Sequence, residues 1–423
     1  MVIFYDLINV LFIILYLPAF LFKKKMHPGF GLRLGMYPKR IRFFGPVWIH
    51  AVSVGEMTNM RRLFTGLTAL LPDKQFVLST VTPTGNTIAA GIARKNDVVT
   101  YLPLDISGIV RGVLDRVNPC FFIIAETEFW PNLLSCLHRR GVPVVIVNGR
   151  ISDRSITGYM RFRWLLAPLL RTVTLLCMQT QADAERVIRL GARSESVKVT
   201  GNMKFDQRVQ IPPSRDGNGV ARLGLQPREK LWVAGSTHPG EEDQVMVAYK
   251  ELSAQYPFVR LLIAPRHPQR AGDLESCIRR HGFEPVRVTR IKASSPPAYG
   301  VFILDTIGEL RAYYALADMV FVGGSLVKHG GQNFLEPAFL GKPVMVGPHL
   351  FNFRDIAGQF LERRAMVLVH NANEMAQAAK TLLTDAQEVA GLVRRAQDLI
   401  RQNVGATERN LSYIKEFIRM GQS

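Results

Sequence analysis

Short apolar segments recur along this chain at regular intervals, and longer stretches with helical periodicity separate them. The first series lies at residues 47–51, 76–80, 98–102, 121–125, 144–147, 175–178 and 197–200. The second series lies at residues 231–234, 259–264, 301–304, 319–322, 344–346 and 366–369. Alternation of this kind is typical of a parallel sheet that carries helices on both faces. The sequence therefore predicts an α/β fold with two doubly wound, Rossmann-like domains.

A break in the pattern separates the two series. Residues 210–219 are rich in Pro, Gly and polar side chains, as a linker is. The chain has 423 residues, which is too many for one ordinary core and suits two domains. We predict an N-terminal segment at 1–25, a first domain at 26–209, the linker at 210–219 and a second domain at 220–423. Because ligands of such folds bind at the carboxyl ends of the strands, we expect a site in a cleft that the two domains face.

The first residues of the chain are almost all apolar. As a helix, residues 2–22 would span roughly 30 Å, which is about the thickness of a bilayer core. Asp6, Asn9 and Pro18 weaken this segment as a spanning helix, but a cleaved signal peptide fits less well because a charged n-region and a cleavage site are missing. We predict a retained membrane anchor. The lysines at 23–25 indicate, by the positive-inside rule, that the rest of the chain lies in the cytoplasm.

The net charge of +19 favours an anionic partner. Long Lys/Arg runs and nucleic-acid-binding motifs are missing from the sequence, so nucleic acid is not expected as that partner. Between residues 33 and 62 a single acid, Glu56, accompanies the basic residues Arg33, Lys39, Arg40, Arg42, Arg61 and Arg62. Apolar residues nearby are Leu32, Leu34, Met36, Phe43 and Phe44. This basic collar predicts a surface held against anionic phospholipid. The alternatives are a solvated basic face and, for the apolar residues, ordinary core.

The four cysteines lie far apart and show no paired spacing. They are Cys120, Cys136, Cys177 and Cys277. Neither a disulfide framework nor a zinc site is predicted from such spacing, and a reducing compartment fits best.

A carboxylate follows the first apolar segment at a glycine turn. It is Glu56, the last residue of the sequence HAVSVGE, and helical periodicity begins directly after it. A carboxylate at the end of a strand and the start of a helix stays ionised and can accept a proton from a bound substrate. Ser53 and Glu56 also fit a capping box, in which the two residues close the first turn of the helix. The sequence leaves both interpretations open.

Three further charged residues of the first half follow strands: a pair of acids and a lysine. Glu126 and Glu128 come directly after the fourth apolar segment, so one of them can face the cleft while the other is turned aside. The alternative is a helix start, with Pro131 in its first turn. Lys204 follows the seventh segment and would reach into the cleft as a cation. A surface pairing with Asp206 is the alternative for this lysine.

Polar and glycine-rich turns leave the strands of the second half. Residues 236–238 and 266–267 carry side chains able to hold a phosphate or a base. Residues 323–325 are Gly-Gly-Ser, and a second glycine pair at 330–331 opens the following helix. Glycine lets a backbone approach a phosphate closely, and the start of that helix supplies amides. Asn333 and Glu336 fit a helix cap equally well, and Glu336 could instead accept hydrogen bonds from a ribose.

Nine segments resemble, in their order, those of the bacterial Kdo transferases, which add 3-deoxy-D-manno-octulosonic acid (Kdo) to lipid A. These segments are HAVSVGE, ETEFWPN, VNGRISDRS, TGNMKFD, AGSTHPGEE, APRHP, GGSLV, NFLEPA and GPHLFNFRDI. The resemblance implies a GT-B fold, CMP-Kdo as donor, a tetraacyl lipid A precursor as acceptor and an inverting transfer at the cytoplasmic face of the inner membrane. Neither a metal nor a cofactor is expected from it.

The resemblance also assigns roles to residues of this chain. It makes Glu56 the general base, which takes the proton of the attacking glucosamine hydroxyl. Glu126 and Lys204 match residues that stabilise the transition state, where a cation offsets the charge on the departing CMP or on the Kdo carboxylate. The positions that match CMP-binding residues are Arg266, His267, Ile307, Gly308, Glu309, Asn333, Phe334, Leu335 and Glu336.

One residue departs from the family pattern, because Gln332 stands where a histidine is usual. An amide can form hydrogen bonds but does not titrate, so this position should lose some pH dependence. Two other functions stay open at this point. A sugar-nucleotide 2-epimerase would share paired doubly wound domains but needs no anchor, and a membrane-tethered binding protein would keep the nucleotide pocket without catalysis.

Overall fold

The structure is a computed structural model that describes residues 5–6, 29–206, 223–291 and 300–420. It divides into two compact units. Unit 1 comprises Met1–Gln207 and Asn403–Ser423, and unit 2 comprises Arg208–Gln402. Each unit contains a seven-stranded sheet in which all neighbouring strands are parallel. The prediction of two parallel-sheet α/β domains is confirmed, while the predicted linker at 210–219 lies outside the described residues.

The predicted membrane anchor at 2–22 also lies outside the described residues, apart from Tyr5 and Asp6. Within the described ranges, no helix is both long and apolar enough to cross a membrane. The Asp6 carboxylate accepts hydrogen bonds from the backbone N–H of Ser107 at 3.1 Å and from the side-chain amide of Asn132 at 2.6 Å. These bonds tie Asp6 to the start of two helices of unit 1.

The sheet of unit 1 is doubly wound. Its strands are β1 (Val47–His50), β2 (Phe76–Thr80), β3 (Val98–Tyr101), β4 (Phe121–Ala125), β5 (Val144–Gly149), β6 (Leu175–Met178) and β7 (Val197–Val199). Their order in the sheet is β3-β2-β1-β4-β5-β6-β7. The winding direction reverses between β1 and β4, where Val47 pairs with Phe121. Ligands of doubly wound folds bind at the carboxyl ends of the strands at such a switch point.

Helices cover both faces of this sheet. They are α1 (Phe30–Arg33), α2 (Val54–Leu70), α3 (Pro83–Ile92), α4 (Ser107–Val117), α5 (Pro131–Arg139), α6 (Asp153–Arg161), α7 (Arg163–Leu170) and α8 (Gln181–Leu190). Successive side chains of a strand point to opposite faces, and Trp48 packs in one core while Val47 and Ile49 pack in the other. Strands buried on both faces need continuous apolar residues, which is why they stand out in the sequence.

Unit 2 repeats this architecture. Its strands are β8 (Lys230–Thr237), β9 (Val259–Pro265), β10 (Pro285–Arg287), β11 (Val301–Ile303), β12 (Met319–Val322), β13 (Val344–Val346) and β14 (Val367–Leu368). Their order is β10-β11-β9-β8-β12-β13-β14, so the switch point lies between β8 and β12. The helices of this unit are α9 (Glu241–Gln255), α10 (Ala271–Arg280), α11 (Leu310–Leu316), α12 (Leu335–Phe339), α13 (Arg354–Glu362), α14 (Ala372–Thr384) and α15 (Ala386–Asn403).

The last helix, α16 (Ala406–Met420), belongs to unit 1. The sequence predicted that this helix belongs to the second domain, at 220–423. Ile414 is fully buried in a core of unit 1, and the rings of Phe417 and Phe121 lie 5.8 Å apart. Apolar periodicity predicts that a helix has a buried face, but it does not say which sheet that face covers.

Candidate active site

Glu56 lies in the first turn of α2, directly after β1. Ser53 is the N-cap of this helix and accepts a hydrogen bond from the backbone N–H of Glu56 at 3.3 Å. In return, the Glu56 carboxylate accepts hydrogen bonds from the N–H of Val52 at 2.8 Å and from the Ser53 hydroxyl at 2.7 Å. The capping arrangement considered from the sequence is therefore present. A carboxylate has about four lone-pair positions, so these two bonds fix its orientation and leave room to accept a proton.

Glu126 is the first residue after β4, the strand beside β1. Its φ is 61°, a left-handed conformation that is uncommon outside glycine and concentrates at functional sites. Burial raises the pKa of Glu126 and the charge of Glu56 raises it further, whereas Lys204 and Arg150 lower it. The charges of Glu56, Lys204 and Arg150 therefore all act on Glu126, which follows β4 at the switch point of unit 1.

Glu128 belongs to the same group of charges. Burial raises the pKa of Glu128 to about 7, and the charges of Glu56 and Glu126 add to this effect. The indole N–H of Trp130 donates a hydrogen bond to the Glu128 carboxylate at 3.1 Å. The alternation of the two acids allows one to face the cleft while the other is turned aside, and the charge of Glu56 raises the pKa of both. Glu128 is thus a site residue that the sequence analysis did not select, although its place after β4 was a usable signal.

Lys204 lies in a 3₁₀ turn, Met203–Asp206, after β7. Its charge lowers the pKa of Glu126. The carboxylate of Asp206, considered from the sequence as the partner of this lysine, accepts a hydrogen bond from the backbone N–H of Gly405 at 2.6 Å. The charge of Lys204 therefore acts on Glu126, and the Asp206 carboxylate contacts the start of α16.

A cavity of about 440 Å³ opens beside Glu128. Its wall consists of Tyr5, Thr127, Glu128, Phe129, Trp130, Pro131, Tyr159, Phe162, Leu165 and Leu166. The rings of Phe129 and Tyr159 meet edge to face at 5.4 Å. A largely apolar cavity with one carboxylate, that of Glu128, suits a ligand that combines apolar and polar parts.

The predicted basic collar divides into two groups. Arg33 is partly buried and donates from Nε to the carbonyl of Leu102 at 3.2 Å, and Arg62 donates to the carbonyl of Asp206 at 2.9 Å. These two arginines hold unit 1 together. The second group consists of Lys39, Arg40, Arg42 and Arg61, which are exposed to solvent.

His238 follows β8 at the switch point of unit 2 and is 8% exposed. Loss of solvent lowers the pKa of His238 to about 4, with contributions from His329, His267 and the nearby arginines. The ring of His329 stacks on His238 with 4.1 Å between centroids, and Gln332 Nε2 lies 3.1 Å from His238 Nε2. The predicted Arg266 and His267 follow the adjacent strand β9. Sequence analysis did not select His329, which lies in a loop without periodicity.

The glycine loop after β12 closes around an internal carboxylate. Glu241 is completely buried, and a Cβ atom at Gly323 would lie 2.9 Å from its carboxylate oxygen. The backbone N–H donors to this carboxylate are Gly324 (2.7 Å), Ser325 (2.9 Å), Leu326 (2.8 Å) and His238 (2.9 Å). The interpretation of residues 323–325 as a phosphate loop therefore does not hold for these amides, because Glu241 already occupies them.

The predicted turn Ile307-Gly308-Glu309 precedes α11. The Ile307 side chain is 82% exposed, and Gly308 has a φ of 92°. The hydroxyl of Thr306 donates a hydrogen bond to the Glu309 carboxylate at 2.9 Å. The turn thus presents a large apolar side chain to solvent.

The predicted residues Asn333 to Glu336 lie at the start of α12. The side chains of Phe334 and Leu335 are buried, so these two residues can meet a ligand only through their backbone. Phe334 is the N-cap, and no side chain caps the helix, so the cap predicted for Asn333 is absent. The Glu336 carboxylate accepts hydrogen bonds from Arg311 at 2.8 Å and from the Asn333 amide at 3.3 Å. Arg311 could not be predicted from the sequence as a partner of Glu336, because it lies on a separate helix.

One group among the described residues combines metal-type donors. The donor atoms of Asp243, Cys277 and His281 lie within 4.8 Å of one another. Asp243 Oδ1 accepts hydrogen bonds from Cys277 at 3.3 Å, His281 at 3.2 Å and Arg280 at 3.1 Å. Burial raises the pKa of the Cys277 thiol to about 12, and a guanidinium occupies the same carboxylate oxygen. Hydrogen bonds account for this group without an ion.

Solved structures share the fold over most of the chain. A UDP-GlcNAc 2-epimerase from Neisseria meningitidis matches 88% of this chain and 100% of its own, with a TM-score of 0.61 at 12% identity. A glycosyltransferase from Rickettsia africae matches 89% of this chain and 99% of its own, with a TM-score of 0.59 at 9% identity. The fold is that of two-domain GT-B glycosyltransferases. Because an epimerase has it too, the fold alone does not decide the activity.

Sequence comparison separates these possibilities. Residues 29–207 match the family described as 3-Deoxy-D-manno-octulosonic-acid transferase (kdotransferase). The 3-deoxy-D-manno-octulosonic acid transferase of Haemophilus influenzae is 32% identical over 373 residues, which are 88% of this chain and 87% of that protein. The transferase of the same name from Bordetella pertussis is 32% identical over 381 residues, with the same two coverages. Since this identity extends through both units, the chain belongs to the family of the 3-deoxy-D-manno-octulosonic acid (Kdo) transferases.

Proposed function

We propose that this chain moves Kdo from CMP-Kdo to a tetraacyl lipid A precursor in lipopolysaccharide biosynthesis, with inversion at the anomeric carbon. A bond forms between an acceptor hydroxyl oxygen and the anomeric carbon, and the bond from that carbon to the phosphate oxygen of CMP breaks. The electron pair of the broken bond leaves with CMP. The observation that carries the proposal is the group formed by Glu56, Glu126 and Lys204 at the switch point of unit 1, in a chain of this family.

Glu56 is the general base in this proposal and takes the proton of the attacking hydroxyl. A base must be ionised and held still, because proton transfer needs a fixed distance to the reacting oxygen. The bonds from Val52 and Ser53 fix the carboxylate, and its place in the first turn of α2 favours the negative charge.

Lys204 and Glu126 stabilise the transition state. The cation of Lys204 offsets the charge that builds on the departing CMP or the Kdo carboxylate. The charge of Lys204 lowers the pKa of Glu126, which supports this pairing. A carboxylate so placed orients Lys204 and favours a positively charged anomeric centre.

The donor nucleotide binds to unit 2 in this proposal. Arg266 and His267 supply a cation and a ring nitrogen for the phosphate, and the exposed Ile307 supplies apolar area for the base. Glu336 accepts hydrogen bonds from the ribose, and Arg311 holds its carboxylate in place. The remaining proposed contacts come from Gly308, Glu309, Asn333 and the backbone of Phe334 and Leu335.

The reaction takes place at the cytoplasmic face of the inner membrane, with residues 2–22 as an anchor and unit 1 against the phospholipid. Exposed apolar side chains support this placement: Met36 is 67% exposed and Phe44 is 69% exposed. Leu32 and Phe43 pack instead against the core, as the alternative interpretation of the collar required. Large apolar side chains beside exposed basic residues suit a lipid interface.

A second exposed surface lies where α6 meets α7. Phe162 is 57% exposed and Trp164 is 64% exposed, and the exposed Arg161 and Arg163 alternate with them. Aromatic and basic side chains both bind favourably at the headgroup level of a bilayer. Sedimentation with vesicles of anionic phospholipid should therefore weaken when Phe162 and Trp164 are both changed to Ser, and unchanged binding would argue against this surface.

The transfer itself is tested with purified full-length protein and CMP-Kdo, with and without the tetraacyl lipid A precursor. We expect CMP release that depends on the acceptor, together with a gain in lipid mass of whole Kdo units, which also counts the residues added. A folded protein that binds CMP but transfers nothing would refute the proposal. It would favour a membrane-tethered binding protein instead.

A further inference from the structure

The segment that carries Lys204 also contacts helix α16. Arg409 of α16 donates from Nε to the backbone carbonyl of Thr200 at 2.7 Å. Gly201 has a φ of 91°, and a Cβ atom there would lie 2.8 Å from the guanidinium of Arg409. Glycine therefore permits both the backbone conformation and the close approach of this arginine. The chain is fixed to α16 shortly before it reaches Lys204.

Asp206 fixes the chain again directly after Lys204. It is 3% exposed, and its carboxylate accepts hydrogen bonds from the backbone N–H groups of Gly405, at 2.6 Å, and of Thr407. N–H groups at the start of a helix have no partner within the helix, and a carboxylate there is also favoured by the helix dipole. The Asp206 backbone carbonyl accepts a hydrogen bond from Arg62 of α2 at 2.9 Å.

Lys204 has little freedom between these two attachments. Met203 and Phe205, on either side of it, are both 1% exposed. The Lys204 side chain is half-buried, and its charge reaches Glu126. In a 3₁₀ turn this tight, a displacement of Asp206 must displace Lys204 as well.

We infer that Asp206 and α16 position Lys204 for the transfer reaction. The inference rests on the function proposed above, in which Lys204 offsets charge in the transition state. In Asp206→Asn only one side-chain oxygen remains, so one of the two N–H groups loses its acceptor and the turn is held less firmly against α16. Since a displacement of about 1 Å can cost about 10²-fold in rate, we expect the loss in kcat and not in donor binding, which unit 2 provides.

The first test compares Asp206→Asn with Glu416→Gln in the full-length protein. Glu416 is an exposed acid of α16, the helix that Asp206 contacts, so its replacement also removes one negative charge and serves as the matched control. We expect Asp206→Asn to lower kcat about 10- to 100-fold, with KM for CMP-Kdo changed less than about twofold. Lys204 lowers the pKa of Glu126. If Lys204 is displaced, the pKa of Glu126 should rise, and the acid limb of the pH–rate profile should move to higher pH. An unshifted profile would indicate a merely structural role and overturn the inference.

A double-mutant cycle tests whether Asp206 acts through Lys204. If it does, adding Asp206→Asn to Lys204→Ala should cost less than about twofold further, because the lysine is already gone. If the two losses multiply in the double variant, Asp206 acts by another route and the inference fails.

Hydrogen exchange separates this inference from the proposed function, because it needs no turnover. We expect faster amide exchange in residues 200–206 of Asp206→Asn than in Glu416→Gln. Arg409→Gln, which removes the bond to Thr200, should give a smaller increase and replaces Asp206→Asn if that variant does not fold. Unchanged exchange in these variants would refute the attachment, whereas absence of Kdo transfer by the wild-type protein would refute the proposed function alone.

Discussion

Glu56 and Glu241 occupy equivalent places in the two units, yet their surroundings differ. Each lies in the first turn of the helix that follows the first strand of its unit. Glu241 is completely buried, and its carboxylate accepts hydrogen bonds from four backbone N–H groups. Glu56 is half-buried, and its carboxylate accepts hydrogen bonds from one backbone N–H and one hydroxyl.

The difference teaches how to interpret an acid at the end of a strand. Four hydrogen bonds saturate the two oxygens of Glu241, so this carboxylate holds the glycine loop and has no lone pair for a substrate. Glu56 is held by two bonds and keeps acceptor capacity. Position at a switch point therefore makes an acid a candidate, and the number of backbone partners decides between a structural and a chemical role.

Replacement of Glu56 by Gln should have the largest effect on activity. A small effect would contradict the chemical role that distinguishes Glu56 from Glu241. We expect kcat for Kdo transfer to fall about 10²- to 10⁴-fold, because the base is lost. The melting temperature should change little, since the Gln carbonyl can still accept a hydrogen bond. The measurements are CMP release and thermal unfolding. A variant that keeps more than about a tenth of the activity would exclude Glu56 as the base.

Replacement of Glu241 by Gln should act on stability. The amide nitrogen of Gln would face backbone N–H donors, and each unpaired buried group costs about 1 to 3 kcal/mol, so we expect unit 2 to lose about 3 kcal/mol. Urea unfolding measures this loss, and Glu251→Gln, at an exposed position of the same helix, is the control. An equal stability of the two variants would show that the four hydrogen bonds contribute little.

Glu128, another acid that follows a strand, should make the free energy of unfolding depend on pH. Burial raises its pKa from 4.5 to about 7, so the folded protein keeps a proton that the unfolded chain releases. The free energy of unfolding should therefore fall as the pH rises from about 4.5 to about 7, and stay level above that. Glu128→Gln should match the wild type at low pH and exceed it by about 1 to 2 kcal/mol above pH 7, allowing for partial exposure. Parallel stability curves would contradict the burial of this charge.

Ser53 gives the smallest expected effect. Ser53→Ala removes the helix cap and one of the two bonds to Glu56, which should cost about 1 kcal/mol of stability and lower kcat a few-fold. Ser53→Thr keeps the hydroxyl and is the matched control. Unfolding and CMP release are measured for both variants. A loss of activity as large as that of Glu56→Gln would mean that Ser53 itself takes part in the chemistry.

The strands could be predicted from the sequence because their physical cause is local. A parallel strand covered on both faces needs consecutive apolar residues, and β4 has the predicted bounds while β9 extends one residue further. Strand β10 was missed because it is short and carries Arg287 at the edge region of the sheet. The unit to which α16 belongs could not be predicted, because it depends on Asp206, far away in the chain.

The candidate site could be predicted in part for the same reason. Glu126 follows β4 directly, while Glu56 and Lys204 come a few residues after β1 and β7, so their positions in the sequence predicted that they lie at one edge of a sheet. The role of Glu241 and the contact between Arg311 and Glu336 depend on partners from other elements. No local pattern encodes such pairs.

Because α16 belongs to unit 1, this unit is completed only at the end of synthesis. On the ribosome, the part of unit 1 that precedes Gln207 is made first, and Arg208–Gln402 follow before α16 appears. At roughly 5 to 20 residues per second, this delay is about 10 to 40 s. During that time Asp206 lacks the amides of Gly405 and Thr407, and the apolar face that Ile414 covers stays open. The inserted unit 2 can mature first, and Lys204, the lysine proposed to stabilise the transition state, is fixed in place only when translation reaches the final helix.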